Sequence, residues 1–154
     1  MRLTSDRRYD FAVDPDALWR VLAATDQYRQ WWPWLHGFAA AGLVSGDSWR
    51  CVVRPPLPYT LRFTLELDEV VAPSLVRATV HGDIAGTAAL TMAPTAEGTN
   101  LRLVSDLASS SRAFGVISTV FRPLVTRAHD WVLDNGAAQF ADRAIAAQRP
   151  RDGR

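Results

Sequence analysis

Three polar side chains are the candidates for chemistry in this 154-residue sequence: His129, Tyr59 and Asn135. An imidazole that titrates near neutrality is the usual general acid or base. A buried phenol or amide needs a hydrogen-bond partner, which a ligand oxygen could supply. Asp130 follows His129, but adjacent helical residues do not face each other, so the pair predicts no catalytic dyad. The alternative for each candidate is a structural role, with its partner in the protein itself.

The spacing along the predicted C-terminal helix places these groups relative to its apolar stripe. With about 100° per residue and Phe121 at the stripe centre, His129 lies about 80° to one side. Asn135 lies about 40° from the centre by the same geometry. We therefore expect Asn135 to face the interior and His129 to lie at the flank of the helix. The same stripe also includes Val125 and Val132.

A tryptophan-rich segment, WWPW at residues 31–34, precedes the first glycine-punctuated strands. Proline disfavours helical geometry for the residue before it, which predicts a junction between a short helix and a strand. Aromatic rings at such a junction either stack on a flat ligand or plug the core. We expect both roles among these tryptophans, with Trp32 facing inward.

The elements that position these residues follow from hydrophobic periodicity. A strand is predicted over residues 3–13, and a helix over residues 15–24 with Asp14 as its N-cap. A second short helix begins near residue 25. Between residues 38 and 108 the period changes to two, which predicts a meander of antiparallel strands.

After residue 111 the helical period returns and predicts a long helix over residues 123–147. The order of elements is α+β, and a sheet of this kind needs its apolar face covered by that helix. A bent sheet around one helix leaves a hollow, which is where a ligand would bind. Residues 1–148 are expected to form one domain, and residues 149–154 a disordered tail.

Side-chain alternation predicts which residues line the hollow. In the segment over residues 59–68, Leu61 and Phe63 share one face while Arg62 and Thr64 share the other. In the last strand Leu103 and Ser105 take the inward phase. The predicted ligand-binding residues are Trp32, Tyr59, Leu61, Phe63, Leu103, Ser105, Phe121, Val125, Val132 and Asn135.

The amino-acid composition argues against several classes of partner and site. Seventeen basic and sixteen acidic side chains give a net charge of +1 with no clustered basic stripe, which argues against nucleic acid. The one cysteine excludes an intramolecular disulfide, and no zinc-binding spacing is present. No run of residues approaches the roughly 18 apolar residues of a membrane span. We expect no metal and no cofactor, a cytoplasmic location, and a monomer or homodimer.

Four segments carry a resemblance that covers nearly the whole chain: Tyr28 with WWPW, PYTL at 58–61, HGDIAGT at 81–87 and HDWVLDNG at 129–136. In this order they resemble the START-like, helix-grip superfamily, also called SRPBCC, and within it the bacterial polyketide cyclase/dehydrase-like proteins. The resemblance implies a curved antiparallel sheet of six to seven strands wrapped around a long C-terminal helix, with two short helices after the first strand. It also implies a pocket for a lipophilic small molecule.

The resemblance leaves two main functions open, because one fold can carry several activities. The first is binding of a hydrophobic or polycyclic small molecule, lipid- or polyketide-like, without chemistry. The second is a polyketide cyclase, aromatase or dehydratase that acts by acid/base catalysis through His129, Tyr59 or Asn135. A third possibility is a partner-binding domain whose hollow is filled by its own side chains.

Overall fold

The computed structural model describes residues 2–55, 60–109 and 122–141, the last range by its backbone alone up to residue 126. Within these ranges seven strands form one antiparallel sheet in the order β1-β7-β6-β5-β4-β3-β2. The strands are β1 Arg2–Phe11, β2 Leu35–Ala39, β3 Ser48–Val53, β4 Leu61–Val71, β5 Leu75–Gly82, β6 Ile84–Thr95 and β7 Gly98–Ser109.

Helices precede and follow the meander. They are α1 Pro15–Leu22, a 3-10 turn Thr25–Gln27, α2 Tyr28–Trp31 and α3 Arg122–Gln139. The Asp14 carboxylate accepts a 2.8 Å hydrogen bond from the Ala17 amide and caps α1 as predicted. The predicted α+β helix-grip arrangement is confirmed. The predicted tail and the predicted end of the last helix lie outside the described residues.

The first strand is shorter than predicted, because its last residues serve the connection to α1. Thr99, which is fully buried, donates a 2.7 Å hydrogen bond to the carbonyl of Val13. The Asp14 carbonyl accepts from the amide of Leu18 in the first turn of α1. Within the described ranges, neither carbonyl therefore accepts a hydrogen bond from the backbone amide of a neighbouring strand: one is bonded to a side-chain hydroxyl and the other to α1.

Two glycines of the HGDIAGT segment permit the close approach of neighbouring strands. Gly82 and Gly86 have φ angles of 131° and 150°, a region that favours glycine. A Cβ on Gly82 would lie 2.5 Å from the Arg62 carbonyl oxygen, and one on Gly86 would lie 1.9 Å from that of Asp106. The segment therefore shapes the sheet at the turn between β5 and β6.

An aromatic cluster packs α2 against the concave face of the sheet. The ring of Tyr28 is buried and lies 5.2 Å from Phe38 and 5.7 Å from Trp49, measured between centroids. The Trp31 ring lies 5.5 Å from that of Phe140 near the end of α3. This cluster fixes the tryptophan-rich segment between the sheet and α3.

Candidate ligand-binding cavity

A cavity of about 420 Å³ lies between the concave face of the sheet and α3. Its strand wall is apolar and includes Leu61, Phe63, Leu65, Leu101 and Leu103. These residues hold the phase predicted from alternation, and Arg62 between two of them is exposed. Its other walls come from the aromatic segment after α2 and from one face of α3.

The predicted site residues divide into three groups. Six of them line the cavity: Trp32, Leu61, Phe63, Leu103, Ser105 and Val132. Tyr59, Phe121 and the side chain of Val125 lie outside the described residues. Asn135 is placed differently from the expectation, because its amide donates a 2.9 Å hydrogen bond to the Trp131 carbonyl one turn earlier in α3. It is absent from the described cavity wall.

The rotation of α3 differs from the sequence expectation. The residues that face the cavity include His129, Val132, Gly136 and Phe140. At about 100° per residue, this face centres near His129 and Gly136 instead of Phe121. His129 is therefore a central residue of the cavity-facing side and not a flanking one.

Two polar contacts join the edge strand β1 to α3 in this orientation. Arg7 forms a 2.8 Å ion pair with Asp130, and the Tyr9 hydroxyl donates a 2.9 Å hydrogen bond to Asp134. Burial, followed by the bond to Asp134, raises the pKa of the Tyr9 phenol. The two carboxylates lie one turn apart on the same side of α3, so both contacts are compatible with the same orientation of the helix.

His129 brings a titratable ring into the cavity wall. Its side chain is 18% exposed, and its Nδ1 lies 3.9 Å from the Asp130 Oδ1, too far for a hydrogen bond. Burial lowers the pKa of the imidazole below its ordinary value of 6.5; Asp130 opposes this shift and Arg7 adds to it. The ring is therefore neutral at physiological pH and able to accept or donate a proton.

Most other polar atoms along the wall are already bonded within the protein. Trp32 Nε1 donates to the Gly136 carbonyl at 2.8 Å, and Trp34 Nε1 donates to the Gln139 side chain at 2.9 Å. The Tyr28 hydroxyl donates to the Leu22 carbonyl. Ser105, which is 7% exposed, shares a 3.1 Å hydrogen bond with Ser5. These groups present mainly apolar surface to the cavity.

Cys51 also lines the cavity, but its environment does not favour nucleophilic chemistry. Burial raises the pKa of its thiol to about 12, so the reactive thiolate is scarce at neutral pH. This is consistent with the simplest sequence interpretation, a small buried hydrophobic residue.

Sequence reasoning missed Tyr9 and Arg7 as parts of the site. Tyr9 and Phe11 alternate in the first strand, and both line the cavity, so the period-two pattern carried the signal for Tyr9. Arg7 has the same phase as Tyr9. A charged residue that points inward from an edge strand is usually explained as protection against pairing with another strand, so the pattern did not indicate a contact with α3. Its partner Asp130 lies 123 positions away in the sequence, which no local pattern could supply.

The sequence matches the family described as "Polyketide cyclase / dehydrase and lipid transport" over residues 2–144. The chain belongs to this family. The match confirms the resemblance based on the four segments. No curated protein matches the chain.

Solved structures share the fold of this polyketide cyclase/dehydrase family member at low sequence identity. The Zhui aromatase/cyclase from a Streptomyces species is 14% identical with a TM-score of 0.78, and all of both chains is covered. A conserved protein from Geobacillus kaustophilus is 8% identical with a TM-score of 0.77, over 94% of this chain and 97% of that one. A Thermus thermophilus protein is 15% identical with a TM-score of 0.68, over 96% and 99%.

Two further observations concern the described part of this family member. None of the helices there is long and apolar enough to cross a membrane. In the same ranges, no three or more His, Cys, Asp or Glu side chains are grouped so that they could hold a metal ion.

Proposed function

We propose that this protein binds a hydrophobic or polycyclic small molecule, lipid- or polyketide-like, in the cavity between the sheet and α3. The observation that carries the proposal is the cavity itself, about 420 Å³ in volume and lined mainly by aliphatic and aromatic side chains. Small-molecule sites typically have volumes of about 300–1,000 Å³ and an apolar lining with few polar groups. The volume also argues against a hollow filled by the protein's own side chains.

Apolar burial is sufficient for useful affinity in such a cavity. A micromolar dissociation constant corresponds to about 8 kcal/mol. A ligand of about twenty heavy atoms reaches this value at roughly 0.4 kcal/mol per atom. Membership of the polyketide cyclase / dehydrase and lipid transport family supports a ligand of this class.

Native mass spectrometry of the protein purified from its own host tests the proposal, together with titration by the uncharged dye Nile red. We expect a retained small molecule, and saturable dye binding at micromolar concentration that excess pyrene reverses. A protein that carries no small molecule and does not bind the dye would contradict ligand binding in the cavity.

A second candidate function is polyketide cyclisation, aromatisation or dehydration by acid/base catalysis. The observation that favours it is the neutral imidazole of His129 in the cavity wall. Such a base can remove the acidic proton from a carbon between two carbonyl groups of a poly-β-ketone chain, and the apolar wall would hold the chain folded. Of the other catalytic candidates, Asn135 is bonded to its own helix.

The catalytic proposal is tested with a poly-β-ketone chain made by a minimal polyketide synthase. We expect the wild-type protein and the Asn135→Ala variant to change the distribution of cyclised products, and the His129→Phe variant to lose this effect. If the distribution is the same with and without wild-type protein, binding without chemistry is the better account.

A further inference from the structure

We infer that the cavity selects uncharged ligands that carry a hydroxyl group, and that the imidazole of His129 accepts the hydrogen bond from that group. This inference rests on the proposed ligand-binding function and names the ligand class within it. It follows from the few polar groups of the cavity wall and from the charges that surround them.

Among the described side chains that line the cavity, His129 has ring nitrogens that no described group of the protein uses in a hydrogen bond. Tyr9, Trp32 and Trp34 also line the cavity, but their donors are bonded to Asp134, the Gly136 carbonyl and Gln139. Within the three described ranges, neither ring nitrogen of His129 has a hydrogen-bond partner, and the nearest carboxylate oxygen is 3.9 Å from Nδ1. A ligand hydroxyl placed against the imidazole could donate a hydrogen bond to it.

The charges around His129 disfavour an anionic ligand. Asp130 and Asp134 lie on α3, and Tyr9 and Arg7 face them from β1. Arg7 is already paired with Asp130 at 2.8 Å, and none of the described lining residues carries a fixed positive charge. A buried carboxylate needs such a charge to offset the loss of its hydration.

The negative charge of Asp130 favours one of the two ring nitrogens as the acceptor. The Asp130 carboxylate is nearer to Nδ1 and so favours the tautomer that carries its proton there. Nε2 then keeps its lone pair and acts as an acceptor. A ligand that donates a hydrogen bond to Nε2 is therefore preferred over an ether, because an ether oxygen would have to approach Nδ1 beside the negative charge of Asp130.

Four pyrenes of nearly the same shape test this selectivity in the wild-type protein at neutral pH: pyrene, methoxypyrene, hydroxypyrene and pyrenecarboxylate. Affinities are measured by the change in probe fluorescence. We expect hydroxypyrene to bind about tenfold more tightly than pyrene and methoxypyrene, the gain of about one well-formed hydrogen bond. Pyrenecarboxylate should bind at least about tenfold more weakly than pyrene.

Two variants assign the preference to a side chain. His129→Phe should reduce the advantage of hydroxypyrene over pyrene to less than about twofold. Ser105→Ala removes a hydroxyl that lines the cavity from β7, and it should leave the advantage unchanged because that hydroxyl is already bonded to Ser5. Retention of the advantage in His129→Phe, or its loss in Ser105→Ala, would overturn the role of His129.

The wild-type series separates the two proposals without any variant. If none of the four pyrenes binds, the ligand-binding function is contradicted. If pyrene binds but hydroxypyrene binds no better, or pyrenecarboxylate binds equally well, ligand binding stands and the selectivity is overturned.

Discussion

The indole Nε1 of Trp32 donates a 2.8 Å hydrogen bond to the carbonyl oxygen of Gly136, which joins the segment after α2 to α3. A Cβ on Gly136 would lie 3.3 Å from the Trp34 ring and 3.7 Å from Trp32 Nε1. The missing side chain thus lets two indole rings pack directly on the helix backbone. Because both rings line the cavity, this contact sets the spacing between α3 and one wall of the site.

Replacement of Trp32 by phenylalanine should destabilise the protein, because it leaves the Gly136 carbonyl without its indole partner and removes part of the packed ring. We expect a loss of about 1–3 kcal/mol in the free energy of unfolding, measured by urea denaturation. Trp131→Phe is the matched control, since the Trp131 side chain is 37% exposed. It should change stability by less than about 0.5 kcal/mol. Equal losses in the two variants would contradict the contact.

Introduction of a side chain at Gly86 should disrupt the sheet, because its Cβ would lie 1.9 Å from the Asp106 carbonyl oxygen at a φ of 150°. We expect Gly86→Ala to lose more than about 3 kcal/mol in urea melts. Gly42→Ala is the control, because nothing lies within 4 Å of a Cβ at that position. A Gly86→Ala variant as stable as Gly42→Ala would show that the two strands are not so close.

Ser105→Trp should block the cavity, because Ser105 is 7% exposed and lines its wall. An indole there occupies space that a ligand needs, at a cost of about 1–3 kcal/mol in stability from overpacking. Val104→Trp is the matched control, since Val104 is the adjacent residue on the opposite face and is 37% exposed. We expect Nile red to bind Val104→Trp as it binds the wild type and not to bind Ser105→Trp. Full binding by a folded Ser105→Trp variant would place the ligand elsewhere.

The imidazole of His129 should titrate below the ordinary value of 6.5, because burial disfavours its charged form. NMR titration of its ring protons measures this directly. Arg7→Met removes a nearby positive charge and should raise the pKa, whereas Asp130→Asn removes a negative charge and should lower it. Shifts of the same sign in the two variants would contradict the arrangement of charges.

The lowered pKa of His129 also predicts how the stability of the protein depends on pH. The unfolded state binds more protons at this histidine than the folded state does, between the folded pKa and 6.5. The contribution of His129 is therefore intact above 6.5 and is lost as the pH falls through the folded pKa. His129→Phe should therefore reduce the loss of unfolding free energy on acidification. Urea melts at a series of pH values below and above 6.5 measure this loss.

Much of the fold could be predicted from local patterns. Alternation along β4 placed Leu61 and Phe63 on the concave face, because a sheet with one covered side separates apolar and polar residues at a period of two. The same reasoning placed Ser105 inward, and the structure adds its partner, Ser5, on the neighbouring strand. The WWPW segment indicated a helix-to-strand junction because of its proline.

The orientation of α3 could not be predicted in the same way. The apolar stripe centred on Phe121 would turn Asn135 inward and His129 aside. In the structure α3 contacts Arg7 and Tyr9 of β1 through Asp130 and Asp134. These pairs join residues near the two ends of the sequence. No pattern within the helix itself could therefore predict them.

The most direct test of ligand binding in the cavity is an NMR experiment on methyl-labelled protein with bound pyrene. We expect intermolecular nuclear Overhauser effects from pyrene protons to the methyl groups of Leu61, Leu103 and Val132, which line the cavity from both the sheet and α3. The exposed methyls of Val44 and Val104 should show none. Effects confined to Val44 or Val104, with none at the three lining residues, would contradict a binding site between the sheet and the helix.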